Sequence, residues 1–388
     1  MGSALAQRLA AGLARVEAQH RLRRRDVRGG AQGVQCCIDG QPYLNFTSND
    51  YLGLAAHPRV VARVSHELGR QGFGSGSAAL LSGRSSLHDE LERALADYTG
   101  MPAALLFSSG YLANLGALGG LLERGDLVVH DRLNHASLID GVLASGAHHR
   151  RYPHADVSRA GASLAEQSDG LRWLVTESVF SMDGDVAPLA ALESVATEHG
   201  ATLYVDDAHG FGVLNDGRGA AASMAANSRR SMVLVMTLGK CLGSIGGVVL
   251  GSADLVQYLV QHARTYVYDT ALPAVCAAAA LEALAMLREA PQRVTRLHDR
   301  VARFRTRAAA AGLQLSDSQT PIQPVMIGDD ARALAVAARL LAEGFYVRAI
   351  RPPTVPAGTA RLRITLTHDH EDAHIDALVD ALAPALNA

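Results

Sequence analysis

The sequence predicts an α/β protein with a large domain built on a mostly parallel sheet and a smaller α+β C-terminal domain. Three observations predict it. From about Phe46 to Val275, short β-branched runs alternate with longer helical patterns, the signature of a sheet covered by helices on both faces. Most of these runs end in a polar cluster, and in open α/β sheets ligands sit outside the carboxyl ends of the strands. The composition is 48% hydrophobic with 37 glycines, yet only 5% aromatic and rich in alanine. That suits helices packed closely through small residues better than a β-sandwich.

Taken in order, the chain opens with Leu5, Leu9, Leu13 and Val16 at helical spacing and Arg8 and Arg15 on other faces. This is an amphipathic helix within an N-terminal arm, residues 1–45; the same pattern also suits a mitochondrial transit helix. The large domain follows over residues 46–287. Its strands are predicted at residues 104–107, 127–129, 173–176, 202–205, 232–236 and 247–250, and the polar clusters fall at 108–110, 131–135, 177–178, 206–209 and 237–240. After Pro273 an alanine-rich stretch runs through Leu287 and basic helical sequence continues to Arg307, which reads as one long helix leading into the small domain, residues 288–388. That domain carries a helical pattern at 331–342 and strand candidates at 346–350 and 361–366.

Several classes are disfavoured. A formal net charge of −2 argues against a nucleic-acid footprint. Cys36, Cys37, Cys241 and Cys276 have neither C-x-x-C spacing nor a disulfide framework, so no metal is expected and a reducing cytoplasm fits best. No apolar run reaches membrane-spanning length, and the N-terminus lacks the apolar core of a secretory signal.

The chemistry is concentrated at the predicted strand ends. In Thr237-Leu238-Gly239-Lys240, a lysine at the edge of a dry site can form a Schiff base with a carbonyl cofactor, although most lysines are simply solvated. In Val205-Asp206-Asp207-Ala208-His209, a carboxylate can pair with a ring nitrogen and keep it protonated; the plainer alternative is an Asx-capped turn. Ser108-Ser109-Gly110-Tyr111 takes a strand into a helix, where exposed N–H groups would cradle a phosphate. His135 can stack on a planar ring or exchange a proton, though a lone histidine is more often structural. Ser181 can hydrogen-bond a cofactor with Glu177 behind it, or both belong to a capped loop.

These elements, in this order and together with Asn49-Asp50-Tyr51-Leu52-Gly53-Leu54, resemble the α-oxoamine synthases among the fold-type I pyridoxal-phosphate enzymes, over almost the whole chain. The resemblance implies pyridoxal 5'-phosphate as cofactor, with Lys240 as its covalent anchor and proton-transfer base, and with Asp206 and His135 as the other catalytic residues. It further implies cofactor contacts from Gly110, Tyr111, Glu177, Ser181, His209, Thr237 and Thr270. The run from Ile350 through Arg363, and Leu22-Arg23-Arg24-Arg25, resemble the branch that feeds biotin biosynthesis. Its implied reaction is the decarboxylative condensation of L-alanine with a pimeloyl thioester, on acyl carrier protein or coenzyme A, to give 8-amino-7-oxononanoate. Arg363 would bind the amino-acid carboxylate, Thr354 and His135 would touch substrate, and Arg23 would help receive the acyl group. A sister enzyme using glycine and a short acyl-CoA is the alternative. Tyr268-Asp269-Thr270 resembles the segment that reaches a neighbouring subunit's phosphate, implying a homodimer with shared active sites, although the family has serine where Asp269 stands. The loop at 74–83 also departs from the family, which has a second glycine after Gly76 and a polar or basic residue where Ala78 to Leu81 lie. A serine hydrolase would need G-x-S-x-G between a strand and a helix, which the chain lacks.

Overall fold

Runs such as Leu127-Val128-Val129 and Leu174-Val175 are apolar on both faces, and such runs form strands only where helices cover both sides of the sheet. The computed structural model, which describes residues 3–387, shows that arrangement. Seven strands lie in the spatial order Ala103–Phe107, Gly247–Gly251, Val233–Thr237, Ala201–Asp206, Arg172–Glu177, Leu127–Asp131 and His148–Tyr152. The last five are mutually parallel, and Gly247–Gly251 runs antiparallel to both its neighbours. Val128, Val129, Leu174, Val175, Val205 and Leu234 are essentially inaccessible to solvent. Each such side chain contributes about 1.5–3 kcal/mol of burial. All six predicted strands form. The seventh, His148-His149-Arg150-Arg151-Tyr152, was not expected because it is partly exposed and carries histidine and arginine where the other strands carry apolar runs; the opposite edge, Ala103–Phe107, is buried and apolar and was expected.

The chain divides into two compact units that do not follow the consecutive segments read from the sequence. The larger comprises Asn49–Ser181 and Asp185–Leu297; the smaller comprises residues 3–48, 182–184 and 298–387. The N-terminal arm therefore clusters with C-terminal sequence, and the division falls within helix Gln292–Ala310. The single long helix expected after Pro273 is two, Ala274–Glu289 and Gln292–Ala310. Pro291 is the reason: it lacks an N–H and drives the preceding residue out of the helical region, and Ala290 sits at φ −130°, ψ 63°.

In the smaller unit, Ile322–Gly328, Ala360–Thr365 and Arg348–Ile350 form an antiparallel sheet. A second sheet joins the hairpin Gln35–Ile38 and Gln41–Asn45 to Arg28–Gly29 and Phe345–Tyr346. The strand expected over 346–350 is thus two short strands that part company at Val347 and enter different sheets. Helices Asp330–Ala342 and Asp372–Asn387 pack on a core that includes Phe46, Phe304, Leu362, Ile364 and Leu378. Outside that core, Arg300, Arg303 and Arg307 form a ladder with Asp372, Asp376 and Asp380. The predicted N-terminal helix spans Ala4–Ala18, capped by Ser3, and buries none of its residues. No helix among the described residues is long and apolar enough to cross a membrane.

Candidate active site

Four adjacent parallel strands bring their carboxyl ends to one edge of the large sheet, and Glu177 and Asp206 are cross-strand partners there. Beside them the strand Ala103–Phe107 leads into helix Gly110–Leu121, whose N-terminus is capped by Ser109: its Oγ accepts from Leu112 N at 3.2 Å. The result is a cavity of about 160 Å³ lined by Gly110, Tyr111, His135, Glu177, Asp206, His209, Thr237 and Lys240. A Cβ on Gly110 would lie 3.3 Å from Thr237 Cβ, so glycine keeps the helix N-terminus open to this space. Eight of the residues singled out in the sequence therefore converge on one chamber. Ser181 and Thr270 are not among its lining side chains.

Asp206 is 5% exposed and uses both oxygens. Its Oδ1 accepts from Ala208 N at 2.9 Å, the Asx turn anticipated as the plainer role, while its Oδ2 accepts from Asn114 Nδ2 at 2.6 Å. Asn114 also donates to Ser137 Oγ at 2.9 Å and accepts from the Tyr204 hydroxyl at 2.9 Å. Ser137 Oγ lies 2.8 Å from His135 Nδ1, which also accepts from Ser137 N at 3.2 Å. Asp206 and His135 are therefore two ends of one buried network centred on Asn114. Because Nδ1 is the acceptor, the neutral ring carries its proton on Nε2. Burial holds the His135 imidazole below its ordinary range against the opposing pull of Asp206, so the neutral form prevails.

Glu177 is wholly enclosed. Burial first, and the neighbouring Asp206 charge second, push its carboxyl well above the usual carboxylate range. Its Oε1 accepts from His135 N at 2.6 Å and so holds the turn that presents the imidazole. On the other side, the Tyr51 hydroxyl lies 2.6 Å from His209 Nδ1, and Asp50 accepts from Leu54 N and Ala55 N at 2.9 and 3.0 Å to fix the turn that carries Tyr51. Lys240 stands on the connection between antiparallel strands. Leu238 N donates to Gly246 O, Ser244 N to Leu238 O and Gly243 N to Lys240 O, each within 3.0 Å. Thr237 Oγ1 adds a bond to Gly246 O at 3.1 Å.

Asn114, Ser137, Tyr204 and Tyr51 were not singled out from the sequence as individual site residues. One signal for Asn114 was present: it is the lone amide in an otherwise apolar helix, Gly-Tyr-Leu-Ala-Asn-Leu-Gly-Ala-Leu-Gly-Gly-Leu. Thr270 lies apart from the chamber, in a β-bridge with Ala78. Beside it, Asp269 accepts from Ser108 Oγ and from Thr270 N. The atypical loop includes a wide π-helical turn over Ala79–Gly83, closed by Gly83 N donating to Ala78 O at 3.0 Å, and a Cβ on Gly83 would lie 2.2 Å from Ser77 O. Only glycine fits that position.

Of the residues expected to meet substrate, His135 lines the chamber, and the other three, Arg23, Thr354 and Arg363, belong to the smaller unit. Arg23 is exposed and donates through Nη2 to Thr354 Oγ1 at 3.2 Å. Arg363 is buried in the middle of strand Ala360–Thr365 and donates to Thr365 Oγ1 at 2.9 Å. Its neighbour Arg361 is occupied by Asp183.

The chamber's donor set fits pyridoxal phosphate. A helix N-terminus with Thr237 alongside suits an anionic group, a fixed buried carboxylate suits a pyridine nitrogen, a neutral imidazole suits a ring face, and an amine suits an aldehyde. No cluster among the described residues has the make-up of a metal site.

Known proteins point the same way. Residues 41–382 match the family model for aminotransferases of class I and II. The chain is 51% identical to the 8-amino-7-oxononanoate synthase of Methylococcus capsulatus, over 97% of this chain and 98% of that one. It is 50% identical to the enzyme of the same name from Stutzerimonas stutzeri, over 97% and 96%. Among solved structures, a serine palmitoyltransferase from S. paucimobilis with pyridoxal phosphate and myriocin bound is similar with a TM-score of 0.91 at 28% identity, covering 99% of this chain and 98% of that one. The 8-amino-7-oxononanoate synthase of Francisella tularensis is similar with a TM-score of 0.75 at 30% identity, covering 89% and 98%.

Proposed function

We propose, from the premise that the chain belongs to the class I and II aminotransferase family and to the 8-amino-7-oxononanoate synthases within it, that it joins L-alanine to a pimeloyl thioester. One carbon–carbon bond forms, and carbon dioxide and the thiol leave, giving 8-amino-7-oxononanoate for biotin biosynthesis. The enzyme is a pyridoxal-phosphate-dependent C-acyltransferase. The observation that carries the reading is the convergence of Lys240, Asp206, His135 and His209 on one chamber with the open helix N-terminus at Gly110.

When bound, pyridoxal phosphate supplies a carbonyl that captures amines and a ring that accepts electrons from the substrate carbon. Every other task falls to the chain. Lys240 provides the amine that anchors the cofactor and then moves the proton at the alanine Cα. Asp206, held by Asn114, keeps a proton on the ring nitrogen. His135 covers the ring face with its neutral imidazole and directs an Nε2 proton toward substrate. His209, steadied by Tyr51, hydrogen-bonds the ring oxygen, and Gly110, Tyr111 and Thr237 receive the phosphate. Glu177 holds His135, and Ser181 and Thr270 are assigned cofactor contacts on the resemblance alone. Arg363 pairs with the alanine carboxylate as a guanidinium fork, while Arg23 and Thr354 receive the acyl substrate.

The reading includes a cytoplasmic homodimer with shared active sites, in keeping with four free cysteines. Sedimentation of an active monomer at working concentration would contradict the dimer. The decisive assay supplies the holoenzyme with L-alanine or glycine and with pimeloyl, succinyl or acetyl thioesters, on coenzyme A and on carrier protein, and identifies products by mass spectrometry. The amino ketone from L-alanine and a pimeloyl thioester is the expected product; a preference for glycine with a short acyl group would replace this reading with that of a sister enzyme.

A further inference from the structure

We propose that His154 is a positioning residue for the reaction: a clasp between two site-bearing turns that acts on turnover through His135, although it lines no part of the cofactor chamber. The proposal rests on the role given to His135 above. Its foundation is a partly buried cluster that the mechanism leaves unused. His154 Nδ1 lies 3.1 Å from both oxygens of Asp131, and its Nε2 lies 2.7 Å from Asp185 Oδ2. Its ring packs edge-on against the buried Phe180, with centroids 4.3 Å apart.

Each carboxylate belongs to a segment that carries a site residue. Asp131 ends its strand and shapes the turn that follows: its Oδ1 accepts from Leu133 N at 2.8 Å, and two residues later the same turn delivers His135 to Glu177. Asp185 closes the hairpin after Glu177, where its carbonyl accepts from Phe180 N at 3.0 Å and Val179 bridges Val186; Ser181 lies within that hairpin. Asp131 Oδ2 also accepts from Ala155 N at 2.9 Å, and Ala155 is held at φ 56°, a conformation alanine rarely adopts. A non-glycine residue kept in the left-handed region beside the clasp indicates that the surrounding bonds over-determine this geometry.

The charge arrangement supports the same role. Burial works against the imidazolium, but the hydrogen bonds to Asp131 and Asp185 outweigh it and raise the His154 pKa to about 10. A cation fixed between two carboxylates couples the two segments; without it, Asp131, wholly inaccessible to solvent, loses the partner that ties it to the Asp185 hairpin. The turn that aims His135 then relaxes, and misplacement of a catalytic group by about 1 Å costs up to roughly a hundredfold in rate.

The test compares wild-type holoenzyme with His154→Gln, His135→Asn and the double variant. The readouts are kcat, KM for L-alanine and the visible circular dichroism of the bound cofactor. His154→Gln is expected to lower kcat about ten- to a hundredfold with KM little changed, to alter the cofactor band in the same sense as His135→Asn, and to add nothing further in the double variant. Independent losses that multiply in the double variant would overturn the proposal, as would a wild-type kcat and band in His154→Gln. Asp185→Asn, which removes one arm at a partly exposed side chain, gives the same readouts with a smaller effect should His154→Gln fold poorly. If His135→Asn itself turned over normally, the catalytic reading of His135 would fall, while the cofactor band would still report whether His154 and His135 are coupled.

Discussion

In the larger unit, Asp206 is almost wholly buried and each of its oxygens accepts a hydrogen bond, whereas in the smaller unit Arg307 and Asp380 meet at 3.0 Å with 40% and 70% of their side chains exposed. The same contrast separates His135, tied at both its ring and its backbone, from Arg23, which makes one 3.2 Å bond to Thr354 at the surface. The difference matches the roles proposed for these residues. Asp206 and His135, proposed to hold one geometry through turnover, are fixed by several buried partners, whereas Arg23, proposed to meet the arriving acyl group, stands at the surface; Arg363, proposed for the alanine carboxylate, is buried like the first group. Buried charges with several partners are costly to disturb; exposed pairs are cheap.

Substitutions sharpen or break this contrast, beginning with the largest effect. Lys240→Ala removes anchor and base together, so turnover should fall by at least about 10⁴-fold, the upper range for a positioned base, with the fold intact by circular dichroism. Activity near wild type would end the assignment. Asp206→Asn keeps the shape but not the charge; a loss of roughly 10²–10³-fold in kcat is expected, with cofactor content followed spectroscopically. Normal turnover by a cofactor-loaded variant would reduce Asp206 to its turn-capping bond with Ala208. Arg23→Ala should cost about 1.5–3 kcal/mol, or roughly ten- to a hundredfold in kcat/KM for a pimeloyl thioester, and should leave an acyl thioester without the terminal carboxylate almost unaffected. Equal losses for both substrates would mean that Arg23 contacts the carrier or supports the fold.

The His154 cluster extends the comparison to pH. Its folded pKa of about 10 stands above the ordinary 6.5, so its contribution to stability is complete below about pH 6.5 and is lost as pH rises toward 10. The Tm difference between wild type and His154→Gln should narrow over that window, and a constant difference would show that the imidazole is not charged. Smallest of all, Asp380→Ala at the outer rung of the arginine ladder should change stability by no more than about 0.5 kcal/mol in a denaturant titration.

How much of this was legible in the sequence depended on where each residue makes its contacts. The inner strands of the sheet were plain because burial on both faces demands continuous apolar runs, and the polar ends of those runs marked the chamber. His148–Tyr152 was not legible, since its half-exposed face carries His148, His149, Arg150 and Arg151 in place of an apolar run. The chain around Val347 read as one strand because local pattern carries no record of which sheet each end joins. Lys240, Asp206 and His135 stood out as reactive types at strand ends. Asn114 and Tyr204 did not, because their work is done by hydrogen bonds between distant segments. Cys241 and Gly212, packed so closely that a Cβ on the glycine would lie 2.7 Å from the sulfur, were equally invisible until the chain folded.

The short connection that bears Lys240 has a consequence for time. Its backbone is held by hydrogen bonds among Thr237, Leu238, Ser244 and Gly246, so in the role proposed for it the Lys240 amine would move by turning its own side-chain torsions. Such rotations take picoseconds to nanoseconds, against nanoseconds to microseconds for a moving loop. On the role proposed for Lys240, return of the base would be fast beside any loop motion, and bond making and breaking or the exchange of substrates would set the pace of turnover.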